Sequence, residues 1–168
     1  EIVRYINGAD RLIRPVNLLK EFPGDGTALY ELDGVTIRVT NLLGSAFINE
    51  EVNAPYLAML DVLADEEPAN IHIVDLHAEA TGEKQCLAYE LDGKVSAVLG
   101  THTHVQTADA RILPNGTAYI SDVGMCGFAD GILGDTKESV IPKILYGKKS
   151  KFEPPNEGRG VFSAVVID

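Results

Sequence analysis

A pair of apolar runs, residues 71–76 and 95–99, restricts the fold more than anything else in this sequence. The first, Ile71-His72-Ile73-Val74-Asp75-Leu76, stops at His77; the second opens into Gly100-Thr101-His102-Thr103-His104. Between them, a stretch reaching Leu91 has helical spacing, and Asp92-Gly93 gives it an exit. Strand, helix and strand over residues 71–100 make a β-α-β unit, with parallel strands and a right-handed crossover. Both strands then end at the same carboxyl edge of a sheet, where open α/β sheets place their sites. Residues i and i+2 of extended backbone share a side, so His102 and His104 point together, and His77 ends the neighbouring strand. His72 lies five residues before His77, an odd separation, and is expected on the opposite face.

Three imidazoles in one place suit a divalent metal, because neutral imidazole is a ligand for zinc, iron and manganese. Three such ligands alone fit a mononuclear zinc with one open position, whereas a two-metal hydrolase also needs a bridging carboxylate and oxygen ligands. Asp75, Glu79, Asp109 and Asp122 are the nearby acids. Each is read as a cap, an Asx turn or a partner that orients an imidazole. A third possibility makes Glu79 the general base of a mononuclear zinc hydrolase, and a fourth keeps the histidines in a non-catalytic metal- or nucleotide-binding module.

The rest of the chain supports an α/β class. Asp33-Gly34 separates strands at 28–32 and 35–43 as a two-residue hairpin turn. Residues 54–66 have helical spacing with Pro55 in the first turn, and 136–146 reads as a helix stopped by Gly147 and disturbed by Pro142. Short strands are expected at 11–14, 111–113 and 117–121, and a longer one at 161–167. Cys86 and Tyr89 are expected near the buried side of the crossover helix. Lys148, Lys149 and Lys151 read as a solvated turn.

At 168 residues the chain can build one domain with a real core, and no apolar run approaches the ~18 residues of a membrane span. The formal net charge of −11 argues against a stable nucleic-acid scaffold, which needs a basic face. Cys86 and Cys126 lack C-x-x-C spacing and read as free thiols of a reducing, cytoplasmic compartment. The chain opens at Glu1 in a helical pattern and closes at Asp168 directly after an apolar run. This reads as a fragment: residues 1–168 as a single partial domain.

Three long motifs carry a family resemblance: His77-Ala78-Glu79-Ala80-Thr81-Gly82-Glu83-Lys84, Gly100-Thr101-His102-Thr103-His104-Val105-Gln106-Thr107-Ala108-Asp109 and Gly116-Thr117-Ala118-Tyr119-Ile120-Ser121-Asp122-Val123-Gly124-Met125. Shorter matches are Arg14-Pro15-Val16-Asn17 and Asn41-Leu42-Leu43-Gly44. Together these resemble the YmdB-type bacterial metallophosphoesterases over nearly the whole chain. The resemblance implies the carboxyl-terminal part of a calcineurin-like, four-layer α/β/β/α sandwich. It implies a binuclear centre of two divalent ions, iron or manganese first and magnesium or zinc next, and hydrolysis of 2′,3′-cyclic nucleotides as small-molecule substrates. By motif position, His77 and His102 would ligate one metal and His104 the other.

Departures accompany the likeness. The family's amino-terminal Asp, bridging Glu, Asn and proton-donating His have no counterpart here, nor has its last hairpin strand. The catalytic residues are therefore unassigned and the chain by itself is expected to be inactive. Met125-Cys126-Gly127-Phe128 also stands where the family has Met-Thr-Gly-Pro. Exposed sheet surface would favour a homo-oligomer.

Overall fold

The computed structural model describes residues 2–19 and 21–168, without the side chain of Ile2; Glu1 lies outside the described residues. Its frame is one six-stranded sheet in the order β1-β2-β3-β4-β6-β5. The strands are β1 (Thr27–Leu32), β2 (Val35–Leu43), β3 (Ile71–His77), β4 (Ala97–Thr101), β5 (Arg111–Ile112) and β6 (Ala118–Ile120). The hairpin β1-β2 is antiparallel, β2, β3, β4 and β6 run parallel, and β5 returns antiparallel to β6. Asp33 and Gly34 both take positive φ, 52° and 79°, the two left-handed residues that a tight hairpin with right-twisted strands needs.

Alternation along β3 decides which face is which. His72, Val74 and Leu76 are buried, while Ile73, Asp75 and His77 are only half-buried. The buried set joins Leu42, Val98, Ala78 and Tyr119 in a core completed by α2 (Pro55–Asp65) through Met59 and Val62. From α3 (Thr81–Glu90) and its exit come Leu87, Ala88 and Leu91. Helices therefore cover one face of the sheet, and the histidine-bearing face is the more open one. The right class is an α/β sheet; of the four expected layers, the described residues supply a sheet and its helical cover.

The buried stripe of α3 and its exit is Lys84, Leu87, Ala88 and Leu91, an i, i+3, i+4, i+7 set. Cys86 and Tyr89 fall off that stripe and are exposed, contrary to the sequence expectation. Residues 11–14 are not a strand; Arg14 instead donates its amide to Asp25 and its side chain to the carbonyls of Pro15, Pro23 and Gly24. The expected terminal strand shrinks to β8 (Gly160–Val161), paired with β7 (Gly127–Phe128). Beyond it the tail is extended without a ladder, and its carbonyls at Ser163 and Ala164 accept from Cys126 and Gln106 instead. A four-residue α1 (Ile2–Tyr5) runs into a 3₁₀ turn that ends at Gly8. The last helix, α4 (Lys137–Tyr146), tolerates Pro142 and stops at Gly147 with φ 63°.

The two short motifs turn out to be one device. Asn17, fully buried, donates Nδ2 to the carbonyls of Leu43 and Asn53 at 2.7 and 3.0 Å and accepts the Leu43 amide at 2.9 Å. It thereby ties the end of β2 to the loop that leads into α2. No helix among the described residues is long and apolar enough to cross a membrane.

Candidate functional site

Parallel register places the site. Asn41, Asp75 and Leu99 form one rung across β2, β3 and β4, and Leu43, His77 and Thr101 form the next. These side chains share the open face, so polar groups at the last two rungs can touch across strands. Asn41 Nδ2 donates to Asp75 Oδ2 at 2.8 Å, and Thr101 Oγ1 donates to Asp75 Oδ1 at 3.0 Å. A hydroxyl has one proton, and Thr101 has given it to the carboxylate. Thr101 therefore accepts from His77 Nδ1–H, 3.0 Å away, and His77 keeps its lone pair on Nε2.

That nitrogen faces His102 Nδ1 at 3.1 Å, with the two rings edge to face and their centres 4.9 Å apart. On its far side, His102 Nε2 lies 2.7 Å from the Glu79 carboxylate, an acceptor, so Nε2 carries a proton there. Two ring nitrogens thus face one another across a gap that holds either a shared proton or a cation. Metal–imidazole bonds of ~2.1 Å at a right angle set their nitrogens ~3 Å apart, so the pair fits two ligands on one ion. Asp75 through Thr101, and Glu79 directly, are the outer partners that orient such ligands. Burial is the largest influence on His77 and, with the charge of His102, holds its pKa below the ordinary imidazole value despite Asp75. The neutral imidazole, the form able to ligate a metal, is favoured.

His104 sits two residues on, at the same edge, with an exposed side chain; its carbonyl accepts the Met125 amide at 3.2 Å. Both His102 and His104 have positive φ, 124° and 67°, a region costly for residues with a Cβ, by about 1–3 kcal/mol each. Across from them, Asp122 accepts the Thr103 amide at 2.7 Å and the Gly124 amide at 2.9 Å, with Lys84 Nζ at 3.4 Å. Burial alone would raise the Asp122 pKa; the Thr103 and Gly124 bonds and the Lys84 charge outweigh it and lower it. Asp109 is likewise tied inward, accepting from Ser121 and Thr107, and is held below the usual carboxylate range by those bonds against its burial. His72 is remote in chemistry: buried on the other face, it bonds Thr40 Oγ1 at 2.9 Å.

Among the described residues, no group of three or more His, Cys, Asp and Glu is arranged to hold a metal. The structure thus joins His77 to His102 directly and leaves His104 beside them in solvent. Sequence reasoning passed over Thr101, Asn41 and Lys84. A threonine just before an H-x-H carries no signal of a relay, and a lysine in a helical stripe looks like a surface residue until its partner is seen.

The fold of this chain has counterparts among solved structures. A crystal structure of a hypothetical protein from Thermus thermophilus superposes with a TM-score of 0.86 at 38% identity, covering 95% of this chain and 62% of that one. A novel phosphatase from Mycoplasma pneumoniae gives 0.80 at 37% identity, covering 90% and 56%. The class is therefore the phosphatase-type metallophosphoesterase fold. The family described as YmdB-like protein matches residues 1–168, and the chain belongs to it. In sequence it is 43% identical over 169 residues to a 2′,3′-cyclic-nucleotide 2′-phosphodiesterase of Bacillus subtilis (strain 168), and spans 63% of that relative's length.

Proposed function

We propose that this chain carries the histidine-bearing part of a metal-dependent phosphodiesterase that hydrolyses 2′,3′-cyclic nucleotides, with turnover belonging to the full-length protein. The His77–His102 pair supports this most directly: two imidazole nitrogens 3.1 Å apart, each oriented from behind by its own acceptor. The likeness to a relative named for that activity supplies the substrate class.

In this reading His77 Nε2 and His102 Nδ1 hold one divalent ion, and His104, by its motif position, serves a second. Bound divalent ions, iron or manganese by the same resemblance, would supply Lewis acidity and an activated water at neutral pH. The chain's own residues do the positioning. Thr101 and Asp75 keep the proton of His77 on Nδ1, and Glu79 keeps that of His102 on Nε2, so both lone pairs face inward. Being occupied in this way, Glu79 is a poor candidate for the general base that a mononuclear zinc mechanism would ask of it.

The test is a side-by-side assay on 2′,3′-cyclic AMP, with manganese or iron supplied. It compares this chain with a version extended at its amino end to the length of the relatives. We expect turnover only in the extended form, and its loss there on His102→Ala. Equal rates in both forms would overturn the assignment of activity to the longer protein. Activity that survives His102→Ala would overturn the site.

A further inference from the structure

Among the described residues, the deepest charged pair lies directly behind the histidine loop. Lys84 and Asp122 have side chains only 1% and 2% exposed, and their charged atoms are 3.4 Å apart. A lysine in the apolar stripe of α3, between the helix and the sheet, is a costly choice unless its partner has a task. The partner has one: Asp122 Oδ2 takes the amide of Thr103, the residue between His102 and His104, while Oδ1 takes the amide of Gly124. One carboxylate thus ties the loop after β4 to the loop after β6.

The backbone on either side of Thr103 needs such a tie. His102 and His104 hold φ of 124° and 67°, which residues bearing a Cβ rarely adopt and which persist only when surroundings enforce them. The β4–β6 junction is already tight there, with Val123 donating to the Gly100 carbonyl at 2.9 Å, but that bond stops short of the histidines. Within the strained segment, Asp122 grips the Thr103 amide at 2.7 Å and the Met125 amide holds the His104 carbonyl at 3.2 Å, so the carboxylate is the side chain that holds this backbone.

We propose that Lys84 and Asp122 form a positioning pair: Lys84 fixes the Asp122 carboxylate, and Asp122 imposes the backbone that aims His102 and His104. The idea rests on the functional reading above for its consequence, metal binding, but its structural content is independent of it. Lys84→Met combined with Asp122→Asn removes both charges together, leaving no unpaired ion in the interior.

The chain would be followed by NMR, and titrated with manganese alone. We expect the wild type to bind manganese, with broadening of the His77 and His102 ring signals. In the double variant, circular dichroism and the β3 amide signals should be retained, the His102–His104 signals displaced, and manganese affinity lowered about tenfold or more. Wild-type affinity in a folded double variant would overturn the proposal, as would His102–His104 signals that coincide with those of the wild type. Should the wild type not bind manganese, the functional reading fails, and the displacement of those signals alone decides whether the pair positions the loop. If the double variant does not fold, hydrogen exchange in the wild type decides: the Thr103 amide should be protected like the β3 amides, and rapid exchange there would overturn the grip.

Discussion

Thr101 is a small residue on which the geometry of His77 depends. Its hydroxyl passes the orientation of Asp75 to His77, and replacing it with valine keeps the volume while removing the relay. Thr101→Val should leave the fold intact and weaken manganese binding by about tenfold or more in calorimetric titration. His72 makes a different prediction. Burial, and then the neighbouring Arg38 charge, lowers its pKa from 6.5 to about 4. Between those values the unfolded chain takes up a proton that the folded chain refuses, so stability rises with pH through the window. Above about pH 6.5 both states are neutral and the effect vanishes. Denaturant melts from about pH 4 to about pH 7 should show wild type losing up to about 1.4 kcal/mol per pH unit more than His72→Gln as the pH falls. The histidines themselves were legible in the sequence, because strand parity separates His72 from His77 and an H-x-H after an apolar run marks a strand end. Among their partners, Asp75 and Glu79 stand with the acids the sequence offers for orienting an imidazole. Thr101 does not, because its two hydrogen bonds depend on strand register.

At the scale of elements, periodicity found β2 to the residue, α2 and α4 within one position at each end, and the end of α3 within one, while α3 begins at Thr81, inside the run expected to lead into it. It failed where partners outside the local sequence decide the outcome. The apolar tail alternates like a strand, but its carbonyls at Ser163 and Ala164 bond to Cys126 and Gln106 rather than to a ladder. Cys86 sits one residue from the buried stripe of α3, a turn of about 100° that composition cannot see. The junction of β4 and β6 offers a sharper test. A Cβ on Gly100 would stand 1.8 Å from the Ser121 carbonyl oxygen, backbone that cannot yield cheaply. Gly82, inside α3, has open space around the same position. In urea unfolding, Gly100→Ala should therefore cost more than about 3 kcal/mol, while Gly82→Ala should stabilise by about 0.5–1 kcal/mol.

The whole molecule is one-sided. Helices cover one face of the sheet, while Ile37, Val39, Ile73 and Leu99 lie half-buried on the other and Leu32 and Ile71 are exposed at its margin. Such a surface invites pairing between copies. Light scattering of the isolated chain should report species larger than a monomer, and a concentration-independent monomer would overturn that expectation. The same face also carries the bond between Asn41 and Asp75 on a single rung of β2 and β3. If β3 slipped by one residue during folding, it would turn over and push the Asp75 carboxylate among Leu42, Val98 and Met59, with no amide to receive it. The slipped register therefore carries a desolvation penalty that the native one avoids. The bond that steadies the carboxylate behind His77 doubles as a proofreading mark for the alignment of the strand.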